Sequence, residues 1–569
     1  MKKSFLRKSL SALLAAALAL SLAACGNPSD TGTGSTGTAN GSSVGSGDGA
    51  GTEAAGGTID LKYALGEELN SLDPNYNYSA TSMGMIMNTN EGLYKYGADG
   101  NIGLGLASDV QISEDGCTYT FTIRDDAYWS NGDPVTANDF YYSWRRLADP
   151  ANGCTYAYML ITAGVKNAME VIYGGGNLDD LGISAPDEKT FIVELDAPRS
   201  YFTELLAQGT YFMPVNQAFC EACGDQFMLD MEHSIYCGPF VMSEWEVGGT
   251  TYTMVKNENY YDADSVTTSS IHYTMLTDAQ AKILAWESGE LDQVLLTGDY
   301  ISMYKEDPAL VQRAYAGMFF ISFNTENEYL SNKNLRLAVS TAIDKQPIVD
   351  SILCDGSNAA DYIIPANFAK DSQGVFYRDN AGNPTYNSYD LTAAAEYWEA
   401  AKAELGTDAI TLELLYNEDS SLASVAAYIQ AQLQTNLPGL TVELRCTTYN
   451  QRLADMGNGD YDMGITRWYA DYQDAATYLD MWIEGSNLNY GRWYNAQYNE
   501  LYKQVVGELA LDEEARIAAQ AEMEKIFLED GAVCPLYQVS YMYLENPNYT
   551  FVTTPSGITL SKYGQWANQ

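Results

Sequence analysis

Histidine and basic residues are scarce in this sequence of 569 residues. Only 2 His are present, which leaves little material for His-based catalysis or a His-rich metal site. Lys and Arg together number 30 against 75 Asp and Glu, so the formal charge at pH 7 is −45. Such a chain lacks the basic surface that nucleic-acid phosphates or anionic lipids attract. The composition therefore argues against nucleic-acid binding and against electrostatic docking on a membrane.

Long apolar runs are absent apart from one near the amino terminus. That run extends from Leu10 to Leu22 and follows the basic residues Lys2, Lys3, Arg7 and Lys8. It is shorter than the roughly 18 residues of a membrane-spanning helix, and the pattern is typical of a secretory signal peptide. The stretch Leu22-Ala23-Ala24-Cys25-Gly26 resembles a bacterial lipobox. The resemblance implies that residues 1–24 are removed and that Cys25 carries a lipid.

The segment after this cysteine, residues 26–57, contains little besides Gly, Ser, Thr and Ala. It cannot bury enough apolar surface to become ordered. We expect residues 25–57 to be a lipidated Cys25 followed by a disordered linker, which holds the protein at the outer face of a membrane or in a periplasm.

From residue 58 onward, strand and helix patterns are mixed. Tyr119, Phe121 and Ile123 alternate with threonines, which predicts a strand with one buried face. Thr136 and Asp139 have the spacing of a helix capping box. Longer amphipathic helices are expected over 391–404, 422–437 and 512–529. The pattern predicts an α/β or α+β body with more than one core, but it does not fix a topology.

The sequence has 9 Cys, of which Cys25 is assigned to the lipid. Cys220, Cys223, His233 and Cys237 have a spacing that a Cys₃His zinc site could use. A local disulfide, which an exported protein can keep, and free buried thiols are the alternatives. We expect no metal and no cofactor. No nucleophile motif lies near either histidine, so no feature of the sequence indicates an enzyme.

The run Arg467-Trp468-Tyr469-Ala470-Asp471-Tyr472 is the most informative local feature. A strand over 461–469 is expected to end in aromatics, with an Asp directly after it. A partly buried Asp can neutralise an ammonium group, and the strand backbone can pair with an extended ligand. The alternative is a surface Asp beside core aromatics.

Longer motifs decide between these alternatives. Ser113 to Arg124 reads SEDGCTYTFTIR, and Trp129 to Arg146 reads WSNGDPVTANDFYYSWRR. These runs strongly resemble the signature of the oligopeptide/dipeptide/nickel class of ABC-transporter solute-binding proteins, and most of all its oligopeptide-binding branch. Further matches follow in the same order from about residue 60 to the end. They are Ser71-Leu72-Asp73-Pro74, Glu91-Gly92-Leu93, Leu147-Ala148-Asp149-Pro150, Gly238-Pro239-Phe240, Ser288-Gly289-Glu290-Leu291-Asp292, Arg336-x-Ala338, Trp468-x-Ala470-Asp471-Tyr472 and Pro535-x-Tyr537.

The resemblance implies a two-lobed α/β fold of the periplasmic-binding-protein type (type II), with an extra α/β domain and a ligand cleft between the lobes. Lobe I would comprise 58–90, 212–322 and 539–569. The extra domain would be 91–211, and lobe III would be 323–538. Two crossings, near Phe323 and near Gln538, would form the hinge.

The resemblance also implies the residues of a peptide site. Asp471 would receive the α-amino group of the peptide. Arg467, Trp468 and Tyr469 would pair with the peptide backbone on one side, and Tyr78, Ser79 and Ala80 would do so on the other. Tyr156 and Tyr158 would line a pocket, and Tyr537 would face the cleft from the hinge. Two departures leave ligand length and carboxyl-terminal recognition open. Ile465 stands where enteric oligopeptide binders have an Arg, and Tyr469 stands where they have a Cys.

The expected protein is a monomeric, non-catalytic receptor that binds oligopeptides and delivers them to an ABC permease with its ATPase subunits. A Gram-positive cell surface fits the lipobox and linker better than a periplasm. The alternative within the same fold is another solute, such as an oligosaccharide, a nickel chelate or a signalling peptide. A surface hydrolase or an adhesin is the rival of a different class.

Overall fold

The computed structural model describes residues 58–69, 71–77, 79–246, 248–554 and 559–567. The predicted signal peptide, Cys25, the linker and Tyr78 lie outside these residues. No helix in the described ranges combines the length and apolarity that crossing a bilayer requires.

The strands are β1 (Ile59–Leu65), β2 (Tyr94–Tyr96), β3 (Ile102–Leu104), β4 (Ala107–Ile112), β5 (Thr118–Ile123), β6 (Ile183–Ser184), β7 (Thr190–Glu194), β8 (Phe240–Trp245), β9 (Thr251–Lys256), β10 (Thr268–Met275), β11 (Gln293–Leu296), β12 (Leu310–Phe323), β13 (Asn358–Ala359), β14 (Ile410–Asn417), β15 (Leu440–Thr447), β16 (Met463–Tyr469), β17 (Val533–Glu545), β18 (Tyr549–Thr550) and β19 (Gln565–Trp566).

The α-helices are α1 (Ala80–Thr89), α2 (Ala137–Ala148), α3 (Met159–Thr162), α4 (Ala168–Tyr173), α5 (Phe202–Gln208), α6 (Gln217–Cys223), α7 (Ala279–Glu287), α8 (Asp299–Met303), α9 (Lys333–Thr341), α10 (Tyr377–Asn380), α11 (Leu391–Leu405), α12 (Ser420–Asn436), α13 (Tyr449–Asn458), α14 (Ala476–Leu479), α15 (Ala496–Val506) and α16 (Glu513–Glu529). The three predicted long helices are confirmed as α11, α12 and α16.

One sheet runs in the order β15-β14-β16-β12-β17-β11-β1-β10-β9-β8. We call the half formed by β11, β1, β10, β9 and β8 the β1–β8 half, and the half formed by β15, β14 and β16 the β14–β16 half. The two long strands, β12 and β17, extend through both halves. The first part of β12, 310–314, pairs with 540–544 of β17, which also pairs with β11. The last part, 318–323, pairs with β16 and with 533–538 of β17. These two strands therefore connect the β1–β8 half to the β14–β16 half, as hinge strands would.

The strand partners of β12 change before Phe323, the position near which the first hinge crossing is expected. The register of β12 against β17 is interrupted between Ala314 and Met318, and Phe323 already pairs with Met463 inside the second half. The change of partners thus lies within β12 rather than at its end, because one long strand serves both halves. The other lobe boundaries stay predictions.

The motif-rich run forms a four-stranded sheet, β4-β5-β7-β6, with α2 packed on it. Tyr119, Phe121 and Ile123 are buried, as their alternation predicts. The Asp139 carboxylate accepts from the backbone N–H of Thr136 at 2.7 Å, so the predicted start of α2 is confirmed. The ring centroid of Trp144 lies 5.3 Å from that of Phe191 on β7. The motif residues therefore form part of the apolar interior of this domain.

Several apolar cores hold the body together. One core includes Leu61 on β1, Ile271 on β10 and Trp144 on α2, so the four-stranded sheet and the β1–β10 half share an interior. A second surrounds β14–β16, and a third packs α15 and α16 on Phe320. Tyr472 and Ala476, which follow β16, belong to the first core. The segment after β16 is therefore packed against the opposite half of the molecule.

Candidate ligand-binding site

The segment that carries Asp471 is held in place by two backbone contacts. Ala470 N–H donates to Ala316 O at 3.0 Å, which ends the pairing of β16 with β12. Asp471 N–H then donates to the buried Thr477 Oγ1 at 3.2 Å. These contacts fix the backbone at Asp471, whose side chain is exposed to solvent.

The Asp471 carboxylate has no hydrogen-bond or ion-pair partner among the described residues. Asp471 is exposed by its accessible surface area, yet neighbouring protein atoms displace part of the water around its carboxylate. This desolvation raises the pKa of Asp471 to about 6. An unpaired carboxylate at such a place is suited to receive a cation from outside the chain.

Asp474 lies three positions further along and is satisfied internally. Its carboxylate forms an ion pair with Arg516, accepts from Gln520 Nε2 at 2.7 Å and accepts from Ser200 Oγ at 3.1 Å. Asp474 is 6 % exposed. It therefore stabilises the fold and leaves Asp471 as the available acid of this segment.

The backbone of β16 presents an open edge beside Asp471. Strand β14 pairs with β16 only at Met463 and Gly464. Because Ala470 bonds toward β12, the alternation of an antiparallel ladder directs the N–H and C=O groups of Arg467 and Tyr469 the other way. No partner for these backbone groups lies in the described ranges. An extended ligand can pair with them.

Three tyrosines lie near Asp471 on the part of the chain that contains the four-stranded sheet. The ring centroids of Tyr156 and Tyr211 are 5.2 Å apart and stacked, and those of Tyr156 and Tyr158 are 6.1 Å apart. Burial raises the pKa of Tyr158 to about 12, and the Asp471 charge adds to this rise. Burial, Tyr158 and Asp471 likewise raise the pKa of Tyr211. The structure thus brings the predicted Tyr156 and Tyr158 together with Asp471.

Tyr211 was missed by sequence reasoning. Its local sequence, Tyr211-Phe212, gives no signal beyond two adjacent aromatics, and only the fold brings it against Tyr156.

The side chains of β16 fall on two faces. Trp468 points toward α14, where its Nε1–H donates to Thr477 Oγ1 at 3.5 Å. Arg467 and Tyr469 point to the other face, where the Arg467 guanidinium carbon lies 5.7 Å from the Tyr469 ring centroid. Trp468 therefore contacts α14 on one face of the strand, while Arg467 and Tyr469 border the open edge.

The expectation that Tyr537 faces the cleft needs correction. Tyr537 is 3 % exposed. Its ring stacks on Phe319 at 4.6 Å between centroids with an interplanar angle of 14°. Because Tyr537 lies opposite Phe319 on the paired strand β12, the two rings pack against each other in the second core, and Tyr537 offers no open face.

The expected second strand through Tyr78, Ser79 and Ala80 is not formed at Ala80. Ser79 is extended (φ −93°, ψ 133°), but Ala80 already begins α1. The Ser79 hydroxyl accepts from Ser82 N–H at 3.4 Å and donates to Glu67 Oε1 at 2.5 Å. A strand through Ala80 is wrong because Ser79 is a helix N-cap. Tyr78 lies outside the described residues.

The cysteine and histidine motif does not converge on one point. His233 Nδ1 contacts Asp230 Oδ1 at 2.8 Å, whereas Cys237 Sγ lies 3.7 Å from Asn90 Oδ1 and Cys220 Sγ lies 3.7 Å from Tyr142 Oη. No cluster of three or more metal-ligating side chains occurs in the described part of the chain. The eight cysteines from Cys117 to Cys534 are free thiols.

Comparison with known proteins places these features in a family. The family model for bacterial extracellular solute-binding proteins, family 5, matches residues 101–490. The chain belongs to this family. OppA of Bacillus subtilis, an oligopeptide-binding protein, is 32 % identical over 527 residues, with 89 % of this chain and 92 % of the relative covered. The predicted family is confirmed, and its members are solute-binding proteins that act outside the cytoplasm.

Solved structures confirm the predicted fold class. Listeria monocytogenes OppA bound to peptide matches this solute-binding protein with a TM-score of 0.67 at 31 % identity, covering 90 % of this chain and 99 % of that one. The periplasmic murein tripeptide-binding protein MppA, in its unliganded open form, matches with a TM-score of 0.78 at 25 % identity, covering 90 % and 97 %. The present arrangement is therefore more similar to the open form than to that peptide-bound one.

Proposed function

We propose that this chain is a lipid-anchored extracytoplasmic receptor that binds oligopeptides and delivers them to an ABC import permease. The observation that carries the proposal is the unpaired Asp471 carboxylate at the end of the open edge of β16. A peptide supplies what both features lack, namely an ammonium group and an unpaired backbone.

In this proposal the peptide amino terminus forms an ion pair with Asp471, and its backbone pairs with Arg467 and Tyr469. Backbone pairing does not depend on the ligand side chains, so one site accepts many sequences. Tyr156 and Tyr158 border the first ligand residue. The relatives named above as oligopeptide- and murein-tripeptide-binding proteins support this class of ligand.

Ligand binding selects the closed arrangement of the two halves. A ligand shifts such an equilibrium only by its difference in affinity for the two states. A peptide held on Asp471 gains further contacts when the opposite half closes over it, and this gain favours closure. The closed form is then the one that docks on the permease, and the peptide is released intact.

The remaining parts of the proposal concern location. Cys25 carries the lipid, the linker tethers a monomeric body to the membrane, and the permease with its ATPase subunits is the partner. A Gram-positive surface suits this arrangement better than a periplasm.

Native mass spectrometry of the purified protein, followed by acid release of whatever co-purifies, tests the proposal. We expect a heterogeneous set of short, intact peptides. A single sugar, a nickel chelate, or a protein that stays empty when mixed with peptide pools would move the function to another solute. Cleaved peptides that accumulate with time would indicate a hydrolase.

A further inference from the structure

A cavity of about 380 Å³ lies between α1, the hairpin strand β2, the strands β1, β10, β11 and β17, and the segment 559–562. Its volume is in the range of small-molecule sites in proteins. None of the residues that line it belongs to the set described above for Asp471, the open edge of β16 or the tyrosines beside them. The cavity is therefore a second place where a ligand could bind, built from residues other than those of the candidate peptide site.

Apolar side chains form most of the cavity wall. They come from Leu65, Met85, Met87, Met213, Leu295 and Leu560. Met85 and Leu560 are buried, whereas Leu295 is 42 % exposed and Gly84 on α1 is exposed as well. The cavity is thus open to solvent beside Leu295 and Gly84 and closed at its other end. A wall of this kind favours the hydrocarbon part of a ligand, because burial removes apolar surface from water.

The closed end of the cavity carries a buried cation, Lys562, which is 6 % exposed. Its Nζ lies 3.7 Å from Glu91 Oε2 and 5.0 Å from the Tyr563 ring centroid. It donates no hydrogen bond to any group in the described part of the chain. Burial lowers the pKa of Lys562, and the charge of Glu91 opposes this shift. A buried ammonium group without hydrogen bonds is unfavourable, and an acceptor brought in by a ligand would relieve this.

Glu91 is poorly placed to provide that acceptor, because its carboxylate is already hydrogen-bonded. It accepts from the Tyr261 hydroxyl at 2.5 Å and from the Tyr260 hydroxyl. Lys95, the other lysine near Glu91 on the cavity wall, is hydrogen-bonded too, since its Nζ donates to Tyr260 Oη at 3.2 Å. Lys562 is therefore the cation of this cluster whose donors are open to a ligand.

A third lysine on the wall, Lys282 of α7, is partly exposed. It has no ion-pair partner among the described residues. In a chain of formal charge −45, most of the surface repels anions. A positive charge at the partly exposed part of the wall therefore favours the entry of an anion into this cavity.

We propose that the cavity binds an amphipathic monocarboxylic acid, with its hydrocarbon body along the apolar wall and its carboxylate on Lys562. The carboxylate accepts charge-assisted hydrogen bonds from Nζ. The ligand head thereby supplies the acceptor that the buried ammonium lacks, and its body fills the apolar space. This second ligand is independent of the proposed peptide function.

Equilibrium dialysis of the purified protein with radiolabelled decanoate, below its micelle concentration at pH 7, tests the proposal. Decan-1-ol and decyltrimethylammonium are the comparison ligands, because they keep the hydrocarbon chain and change the head group. We expect one decanoate per protein, bound at least tenfold more tightly than either comparison ligand. An excess of a tetrapeptide should not displace it, because the two sites share no residue.

Two lysine variants test the position of the carboxylate. Lys562→Met keeps the length of an apolar stem and should lower the affinity for decanoate to within about twofold of that for decan-1-ol. The affinity for decan-1-ol should stay unchanged. Lys282→Met should retain the preference for the acid, since the head group lies at the closed end.

A glycine variant tests the cavity even if Lys562→Met fails to fold. Gly84 lines the cavity on α1, and a Cβ added there meets nothing within 4 Å. Gly84→Leu should therefore obstruct the opening and weaken decanoate and decan-1-ol binding at least tenfold. Gly457→Leu on α13 is the matched control, because it is also helical and a Cβ there meets nothing within 4 Å. It does not line the cavity and should leave both affinities unchanged.

The absence of saturable decanoate binding to the wild-type protein would overturn the inference. So would equal affinity for the acid and the alcohol, displacement by the tetrapeptide, or a preference lost in Lys282→Met and kept in Lys562→Met. None of these results bears on peptide binding at Asp471, so failure here is distinct from failure of the proposed function.

Discussion

Two carboxylates three positions apart illustrate how burial and pairing divide roles between residues. Asp474 is buried and satisfied by Arg516, Gln520 and Ser200. Asp471 has no such partners, and desolvation raises its pKa from 3.8 to about 6. The folded state therefore holds this proton over a pH range in which the unfolded chain has lost it, so raising the pH from about 4 to 6 reduces stability. This loss of folding stability is expected of a desolvated carboxylate that has no partner until a ligand binds.

Peptide affinity should depend on the ionisation of Asp471. Only the carboxylate can pair with the ligand ammonium, which stays protonated below its pKa of about 8. We expect affinity to be constant from pH 6.5 to 7.5 and to fall by up to about tenfold per unit below pH 6. Calorimetry at pH 5 in two buffers of different ionisation enthalpy should also detect the release of a proton on binding.

The matched control for this pH dependence is Asp471→Asn. The variant should bind at least about 2 kcal/mol more weakly at pH 7, because it removes one partner of the ion pair. Its residual affinity should be independent of pH between 5 and 7. A wild-type affinity that does not change over this range would remove Asp471 from the site.

Sequence reasoning identified the residues whose motif is local. Asp471 follows a recognisable strand, so its position relative to that strand was predictable. Tyr211 was not, because only the fold brings it beside Tyr156, which is distant in sequence. Ala80 was misassigned for a related reason: the hydroxyl of Ser79 caps α1, and the motif gave no indication of a helix start there.

At the level of elements, the close approach of Tyr469 to β12 depends on Gly317. A Cβ at this position would lie 2.4 Å from Tyr469 Cε1. Gly317→Ala should displace the ring from the open edge, cost about 1–3 kcal/mol of stability and weaken peptide binding. Urea unfolding and calorimetry measure the two effects.

Gly103→Ala on β3 is the control for this substitution, because a Cβ there meets nothing within 4 Å. It should leave both quantities near the wild-type values. If Gly317→Ala proves as stable as Gly103→Ala and binds peptide equally well, the ring is not fixed by this contact.

The capping box of α2 belongs to the architecture and not to the site. The Asp139 carboxylate accepts from Thr136 N–H at 2.7 Å and from Trp129 Nε1–H at 3.4 Å. Asp139→Ala leaves these donors unpaired and should cost about 1–3 kcal/mol in urea unfolding. Peptide affinity of the folded fraction should be unchanged. A loss of affinity without a loss of stability would contradict this assignment.

Most helices and strands were predictable because their signals are short-range. The alternation in β5 and the capping residues of α2 lie within the elements that they define. The order of the large sheet was not predictable in this way, since β12 and β17 pair over more than 200 intervening residues. The interruption between Ala314 and Met318 likewise depends on the pairing of β12 with β17.

At the level of the whole molecule, the two halves already touch beside the site. Tyr201 and Tyr472 stack with ring centroids 3.8 Å apart, and Ser200 Oγ donates to Asp474 Oδ2 at 3.1 Å. Together with β12 and β17, these contacts join the two halves in this arrangement. The sequence could not reveal this contact, because neither residue carries a motif for it.

Closure should be visible in solution. Small-angle X-ray scattering of the ligand-free protein should give a larger radius of gyration than the same protein saturated with peptide. The Asp471→Asn variant at the same peptide concentration should keep the larger radius of gyration, because only a small fraction of the variant has peptide bound. Equal radii for free and saturated wild-type protein would show that binding does not require closure.

The central claim is that the protein binds peptides through their free amino terminus at Asp471. The most direct test is a calorimetric titration of the wild-type protein with one tetrapeptide and with its N-acetylated form. The account predicts that acetylation, which replaces the charged ammonium group with a neutral amide, weakens binding at least tenfold. Equal binding of the two peptides would contradict it.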